Sequence, residues 1–175
     1  MKNAYNVLAA HYLWQLENKH SVSHLDSRLT ELACGNGSLT AALVALSNNN
    51  FAVNLIRQEL SLPYFHEQMK LGRPLARAAM IREVELQLFG ESVLYARSVI
   101  PLSLIKKGRN GLVNLGRTPL GHLLFKDGKM RVSKREFTRL KFEQAYVTAR
   151  RTPYDYQGSQ ILVSEFFLPS IYRYL

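Results

Sequence analysis

Three charged side chains stand among apolar residues in strands that the sequence predicts. Arg82 and Arg97 lie in two consecutive strand candidates, and Glu165 lies in the last one. Side chains two positions apart share a face of a strand, and the i±2 neighbours of all three residues are apolar. Burying an unpaired ion costs several kcal/mol, so each of these side chains needs a partner or a polar cavity.

Two interpretations of this pattern remain open. In the first, Arg and Glu form a buried ion pair that holds strands together and has no part in chemistry. In the second, they line a pocket with two cationic donors and one acceptor, which suits an anionic ligand with two acid groups and a hydroxyl. Such pockets are mostly apolar, and a few polar groups orient the ligand in them.

The predicted hairpin decides whether the two arginines lie on one face. Gly90-Glu91 has the composition of a two-residue type II′ turn. That turn pairs Val84 with Arg97, so it places Arg82 and Arg97 on one face as diagonal neighbours with Cα atoms about 7–8 Å apart. A register error of one residue would put them on opposite faces.

The elements that position these residues predict an α+β domain. The first 50 residues show helical spacing of apolar side chains, and Ser38 is a natural N-cap for a helix over 39–46. Beyond residue 50 the pattern changes to strands. The strand candidates are 51–60, 78–89, 92–100, 130–140, 142–150 and 160–168. We therefore predict one domain over 1–175 with a helical N-terminal segment and an antiparallel sheet of about six strands.

Charge is distributed unevenly along the 175 residues. The 23 Lys and Arg exceed the 13 Asp and Glu, which gives a formal net charge of +10, and the whole surplus falls within 61–175. Such an excess suggests nucleic acid, an anionic membrane surface or an anionic small molecule, or else a solvated basic face. No apolar run reaches the roughly 20 residues of a membrane span, and no signal peptide is recognisable, so we expect a cytoplasmic protein.

The sequence shows no clear signature of a metal site, a disulfide or a nucleic-acid-binding surface. Cys34 is the single cysteine, which excludes an internal disulfide framework and a cysteine-rich zinc site. His20 and His24 are four residues apart, but no carboxylate completes a known metal-binding pattern. The basic stretch over 129–141 has no helix-turn-helix or aromatic stacking signature, so we predict neither a metal cofactor nor a nucleic-acid partner.

Several short segments, taken together and in order, match one known family. They are Gly37-Ser38-Leu39-Thr40, Ile81-Arg82-Glu83, Ala96-Arg97, Val99-Ile100-Pro101, Leu115-Gly116-Arg117-Thr118-Pro119-Leu120-Gly121, Leu124-Phe125, Ala149-Arg150-Arg151 and Ser164-Glu165-Phe166-Phe167-Leu168-Pro169. Over 25–170 the chain resembles chorismate lyase, the bacterial enzyme family that converts chorismate to 4-hydroxybenzoate and pyruvate for ubiquinone synthesis. The resemblance implies an antiparallel sheet with helices, and an active site enclosed under helical flaps.

The resemblance also implies roles by position. Arg82 would bind the ring carboxylate, Glu165 would meet the ring 4-hydroxyl, and Arg97 would take the enolpyruvyl carboxylate, which makes these three the catalytic set. Leu39 and Leu120 would contact the substrate chorismate, partly through backbone groups. The family's reaction needs neither a metal nor a redox cofactor, and we expect a monomer or weak dimer.

Two positions depart from the family pattern. At Leu39 some family members have methionine, an apolar residue of similar volume. The family typically has glycine immediately before the second arginine, whereas this chain has Ala96. The added methyl group would narrow the space around the ligand beside Arg97.

Two other functions stay open. Effector domains of bacterial transcription regulators of the histidine-utilisation repressor type resemble this fold, and such a domain would sense an aromatic acid without turning it over. These regulators carry a winged-helix unit ahead of that domain, and the first 50 residues, with no net charge, hardly make one. The second alternative is a basic interaction module without small-molecule chemistry.

Overall fold

The structure is a computed structural model that describes residues 5–10, 13–23, 25, 27–35, 37–72, 77–106, 110–126 and 130–175. Its strands are β1 (Gln15–Leu16), β2 (Phe51–Ser61), β3 (Ala79–Leu88), β4 (Glu91–Pro101), β5 (Arg131–Val132), β6 (Glu136–Phe142), β7 (Ala145–Tyr156) and β8 (Ser159–Phe167). Its helices are α1 (Asn6–Ala9), α2 (Lys19–Val22), α3 (Ser27–Cys34), α4 (Leu39–Leu46), α5 (Phe65–Lys70), α6 (Leu102–Lys106), α7 (Asn110–Val113) and α8 (Leu120–Lys126), followed by a 3-10 helix at Pro169–Arg173.

The strands form one antiparallel sheet, which confirms the predicted α+β class. Their order is β1-β6-β7-β8-β4-β3-β2, and β5 pairs with β7. The six predicted strand candidates correspond to β2, β3, β4, β6, β7 and β8, while β1 and β5 are additional strands of two residues each. None of the helices in the described ranges has the length and hydrophobicity of a membrane-spanning helix.

The turn between β3 and β4 differs from the predicted one. Phe89-Gly90 forms the turn instead of Gly90-Glu91, and Leu88 pairs with Glu91. The φ angles of the two turn residues are 51° and 82°. Two central residues with positive φ fit a type I′ turn, whose twist matches that of the strands it joins.

A β-bulge beside this turn corrects the predicted placement of the second arginine. Val93 of β4 has no partner residue in β3, and beyond it Glu83 lies opposite Arg97. The prediction that Arg82 and Arg97 share a face is therefore wrong. Because side chains alternate with a period of two, a register shift of one residue moves Arg97 to the other side of the sheet.

The two faces of the sheet have different helical covers. The pocket face, which carries Arg82 and Glu165, lies under α4 and α8. The opposite face, which carries Glu83 and Arg97, is covered by α1, which packs with buried aromatic residues of β4 and β8, and by α5. Each charged residue of these two sets is therefore enclosed between a sheet and a helix.

Candidate active site

A pocket between the sheet and the starts of α4 and α8 brings together most of the residues that the sequence assigned to a site. Leu39, Arg82, Leu120 and Glu165 all line it. Arg97 does not line it. The remaining walls are largely apolar, with contributions from β3, β4, β7, β8, α4 and α8. A mostly apolar pocket with a few convergent polar groups is the usual form of a small-molecule site.

Two helices begin at this pocket. The side chain of Ser38 caps α4 as predicted and accepts a hydrogen bond from the backbone N–H of Ala41 at 3.3 Å. The first residues of α4, Leu39 and Thr40, line the pocket, as does Leu120 at the start of α8. Backbone N–H groups in a first helical turn have no acceptor within the helix, and residues from the first turns of both helices line the pocket.

Arg82 is a buried cation that donates hydrogen bonds to two neutral groups. Its side chain is 2% exposed, and it donates to the Gln58 Oε1 at 2.8 Å and to the Thr118 carbonyl at 3.0 Å. No carboxylate in the described part of the chain forms an ion pair with it. Burial lowers the pKa of the Arg82 guanidinium. Since a guanidinium has five N–H donors, it retains donors for an anion in the pocket.

Glu165 combines the two interpretations left open by the sequence. It lines the pocket, and it also lies directly across the β7–β8 ladder from Arg150. The Arg150 Nε donates to one carboxylate oxygen at 2.5 Å, and Nη2 donates to the other at 3.4 Å. Burial lowers the pKa of Arg150, but the attraction of Glu165 outweighs it, so the pKa lies above its usual value.

Tyr154 and Ala96 also line the pocket, and they affect its hydrogen bonding and its shape. Tyr154 lines it with a phenol whose pKa is raised to about 12, chiefly by burial, so the hydroxyl stays neutral. Ala96 also lines it and lies opposite Glu165 on the neighbouring strand. Its methyl group therefore occupies space beside Glu165 in the pocket. From the sequence we expected that space to lie beside Arg97, but Arg97 points to the opposite face of the sheet.

Arg97 belongs to a separate ionic cluster on the opposite face. Its Nε and Nη2 donate to the two carboxylate oxygens of Glu67 at 2.8 and 3.0 Å, and its Nη1 donates to Glu83 at 2.6 Å. Arg57 adds a second bond to the same Glu83 oxygen at 2.8 Å. The guanidinium also lies 4.5 Å from the ring centroid of Tyr64. The interpretation as a buried structural pair therefore applies to Arg97.

His66 joins this opposite face to the N-terminal segment. Its Nε2 lies 3.1 Å from the Ala9 carbonyl, and its Nδ1 lies 3.2 Å from the Arg151 Nη1. Because a guanidinium can only donate, Nδ1 accepts and Nε2 carries the proton. Burial is the main cause that lowers the pKa of His66 from 6.5, and the nearby cations Arg151 and Arg97 lower it further, against the attraction of Glu67.

This histidine predicts a pH dependence of stability. The unfolded chain takes up a proton near pH 6.5, while the folded chain does so only at lower pH, so acid favours unfolding. Between about pH 7 and pH 5.5 we expect a loss of up to about 1 kcal/mol in unfolding free energy, and we expect His66→Gln to flatten it. Urea unfolding at both pH values measures this, with His20→Gln at an exposed position of α2 as control. Equal pH slopes in all three proteins would refute it.

Sequence reasoning missed Arg150 as a residue of the pocket. A signal was present, because two consecutive arginines in a strand must point to opposite faces. Arg150 points to the pocket, and Arg151 points to the other side, where it pairs with Glu136 at 2.5 Å. The predicted strand ended at Arg150, which removed the alternation that would have separated the two.

Comparison with known proteins adds a family and a fold. Residues 8–174 match the family model described as chorismate lyase. The chain is 34% identical over 149 residues to a protein named probable chorismate pyruvate-lyase from Methylococcus capsulatus, covering 77% of this chain and 91% of that protein. It is 32% identical over 181 residues to a protein of the same name from Pseudomonas putida, covering 99% of this chain and 98% of that protein.

Solved structures with a similar fold are more distant in sequence. The effector domain of PhnF from Mycobacterium smegmatis has a TM-score of 0.56 at 12% identity, over 78% of this chain and 91% of that one. The possible transcriptional regulator YydK from Bacillus subtilis has a TM-score of 0.51 at 10% identity, over 71% of this chain and 60% of that one. At such identities the likeness concerns the fold alone.

Proposed function

The chain belongs to the chorismate lyase family, and on that basis we propose that it eliminates pyruvate from chorismate to give 4-hydroxybenzoate. We place this reaction in the bacterial cytoplasm, where its product would supply ubiquinone synthesis. One observation carries the proposal: Arg82 and Glu165 line the same largely apolar pocket. Arg82 is buried without a carboxylate partner among the described residues, and Glu165 is a buried carboxylate.

The polar groups of the pocket match those of the substrate. The unused donors of Arg82 suit the ring carboxylate, and Glu165 is an acceptor for the ring 4-hydroxyl. Chorismate carries a second carboxylate on its enolpyruvyl group, and the family resemblance implied that Arg97 would bind it. Since Arg97 points to the opposite face, we assign this carboxylate to the backbone N–H groups at the start of α4, at Leu39 and Thr40.

The reaction balances without any further reactant. The bond between ring carbon C3 and the enolpyruvyl oxygen breaks, the ring loses the proton at C4, and the enolpyruvyl methylene gains one proton. The ring becomes aromatic, so the chemistry runs downhill. The contribution of the protein is then to position the substrate and to stabilise negative charge on the departing enolpyruvyl oxygen. Tyr154, as a neutral phenol in the same pocket, can donate a hydrogen bond to an anion but supplies no charge.

A three-way assay tests this function directly. Purified protein mixed with chorismate is followed for chorismate loss, for pyruvate by lactate dehydrogenase, and for 4-hydroxybenzoate by chromatography. We expect pyruvate and 4-hydroxybenzoate to appear in equal amounts. Binding of 4-hydroxybenzoate without turnover would favour a ligand-sensing domain, and neither binding nor turnover would favour an interaction module.

Glu165→Gln provides the matching variant. We expect kcat/KM for chorismate to fall at least about tenfold, because a hydrogen bond to a charged acceptor contributes about 1.5–3 kcal/mol. Glu136→Gln is the matched control, since Glu136 forms an equally short bond to Arg151 on the other side of the sheet. Near-normal turnover by the Glu165 variant would show that its assigned role is wrong.

A further inference from the structure

We propose that Arg150 is a positioning residue that fixes the Glu165 carboxylate for the ligand hydroxyl and ties it to the end of α3. The inference rests on the proposed function, because the ligand hydroxyl is the 4-hydroxyl of the ring. It adds to that function the part of the site that selects a hydroxylated ligand over one without a hydroxyl.

The orientation of Glu165 follows from its two bonds to Arg150. The Nε–Oε2 distance is 2.5 Å and the Nη2–Oε1 distance is 3.4 Å, so both oxygens face the planar guanidinium. Each carboxylate oxygen has two acceptor positions. The Oε1 atom, which has the longer bond, is therefore the oxygen with most capacity left to accept a hydrogen bond from a ligand.

The third contact of Arg150 reaches the helical cover. Its Nη1 donates to the Ala33 carbonyl in the last turn of α3 at 2.6 Å. Carbonyl groups in the last turn of a helix have no N–H donor within the helix, and the negative end of the helix dipole favours a cation there. Soon after α3 the chain reaches Gly37 and Leu39, which line the pocket. One buried side chain thus holds both the acceptor for the hydroxyl and the helix that leads into the pocket wall.

The two arginines of the pocket have separate tasks. Arg150 is bonded to Glu165 and to a carbonyl, so its charge is compensated within the protein. Arg82 has no carboxylate partner among the described residues and donates to the neutral Gln58 and Thr118, so its charge is available for the ring carboxylate. Arg82, Arg150 and Glu165 together give the pocket one net positive charge, which matches the single carboxylate and neutral hydroxyl of the product 4-hydroxybenzoate. The second carboxylate of chorismate is the one assigned above to the backbone N–H groups at the start of α4.

The test compares two ligands that differ only in the hydroxyl. Isothermal titration gives the dissociation constants of 4-hydroxybenzoate and of benzoate, and their ratio reports the hydroxyl contact alone. For the unmodified chain we expect 4-hydroxybenzoate to bind at least about tenfold more tightly than benzoate. For Arg150→Met we expect this ratio to approach one, while benzoate, held by Arg82, changes its affinity by less than about threefold.

Two variants separate positioning from general stability. Arg150→Lys retains a buried cation but loses the planar two-point contact, so we expect its ratio of dissociation constants to lie between those of the unmodified chain and Arg150→Met. Because it keeps the charge, this variant also provides the test if Arg150→Met does not fold. Arg151→Met is the matched control, because it removes a buried arginine paired to glutamate on the opposite face, and we expect an unchanged ratio.

Each outcome bears on a particular claim. A reduced ratio in both Arg150 variants and an unchanged ratio in Arg151→Met would support the positioning role. If the unmodified chain converts chorismate but Arg150→Lys keeps the full ratio, the Arg150 proposal fails and the proposed function stands. If the unmodified chain neither converts chorismate nor prefers 4-hydroxybenzoate, both fail.

Discussion

Replacing Arg82 with methionine is expected to remove nearly all chorismate turnover while leaving the fold about as stable as before. Truncating one partner of a desolvated charge pair with the ligand costs about 2–5 kcal/mol, which corresponds to a loss of roughly 30- to 4,000-fold in kcat/KM. Arg82 has no carboxylate partner among the described residues, so its removal leaves no buried countercharge behind. Methionine fills similar space without the cost of burying a charge.

Stability and activity should therefore separate in this variant. The cost of leaving the Gln58 amide and the Thr118 carbonyl without their donor opposes the gain from removing a buried ion. We expect an unfolding free energy within about 1 kcal/mol of the unmodified value. Steady-state kinetics and urea unfolding measure the two quantities. Turnover within about tenfold of normal, or a loss of more than about 3 kcal/mol in stability, would contradict the assignment.

Replacing Arg97 with methionine is expected to lower the stability of the protein but to leave ligand binding unchanged. Arg97 is shared by Glu67 and Glu83, which are 1% and 0% exposed, so its loss leaves buried carboxylates with too few partners. Breaking a buried pair by removing one partner costs about 3–5 kcal/mol of stability. Because Arg97 points away from the pocket, molecules that remain folded should keep their affinity for 4-hydroxybenzoate.

The pH dependence of this loss provides a second measure. Burial alone would raise the pKa of Glu83, but its bonds to Arg57 and Arg97 lower it below 4.5. The stabilisation is therefore present above about pH 4.5 and is lost as the pH falls through the lower folded-state pKa. The deficit of the Arg97 variant relative to the unmodified chain should shrink over that range. Urea unfolding from neutral to acidic pH measures it, and a constant deficit would show that Glu83 is not the group affected.

Strand alternation was sufficient to locate the pocket face but not to assign every charge to it. The apolar neighbours of Arg82 and Glu165 identified two strands whose charged side chains do meet at one pocket. The same reasoning failed for Arg97, because the turn at Phe89-Gly90 and the bulge at Val93 shift the hairpin by one residue. A bulge changes the register locally and leaves the apolar pattern nearly unaltered, so the pattern cannot reveal it.

Arg150 could not be predicted from the sequence as the partner of Glu165, for a different reason. Which of two consecutive arginines faces the pocket depends on the pairing of β7 with β8, a long-range register that local sequence does not determine. The helix starts were more accessible, since Ser38 at the predicted N-cap marks the start of α4 correctly. Local capping chemistry was thus predictable, whereas contacts across strands required the structure.

The consecutive arginines of β7 have a consequence for how the sheet assembles. Arg150 pairs across one ladder with Glu165 of β8, and Arg151 pairs across the other with Glu136 of β6. If β7 slipped by one residue against either neighbour during folding, a charged side chain would be buried without its counterion. A misaligned arrangement of this kind would be several kcal/mol less stable than the native one. The two adjacent arginines therefore favour a single alignment of β6, β7 and β8, independently of any ligand in the pocket.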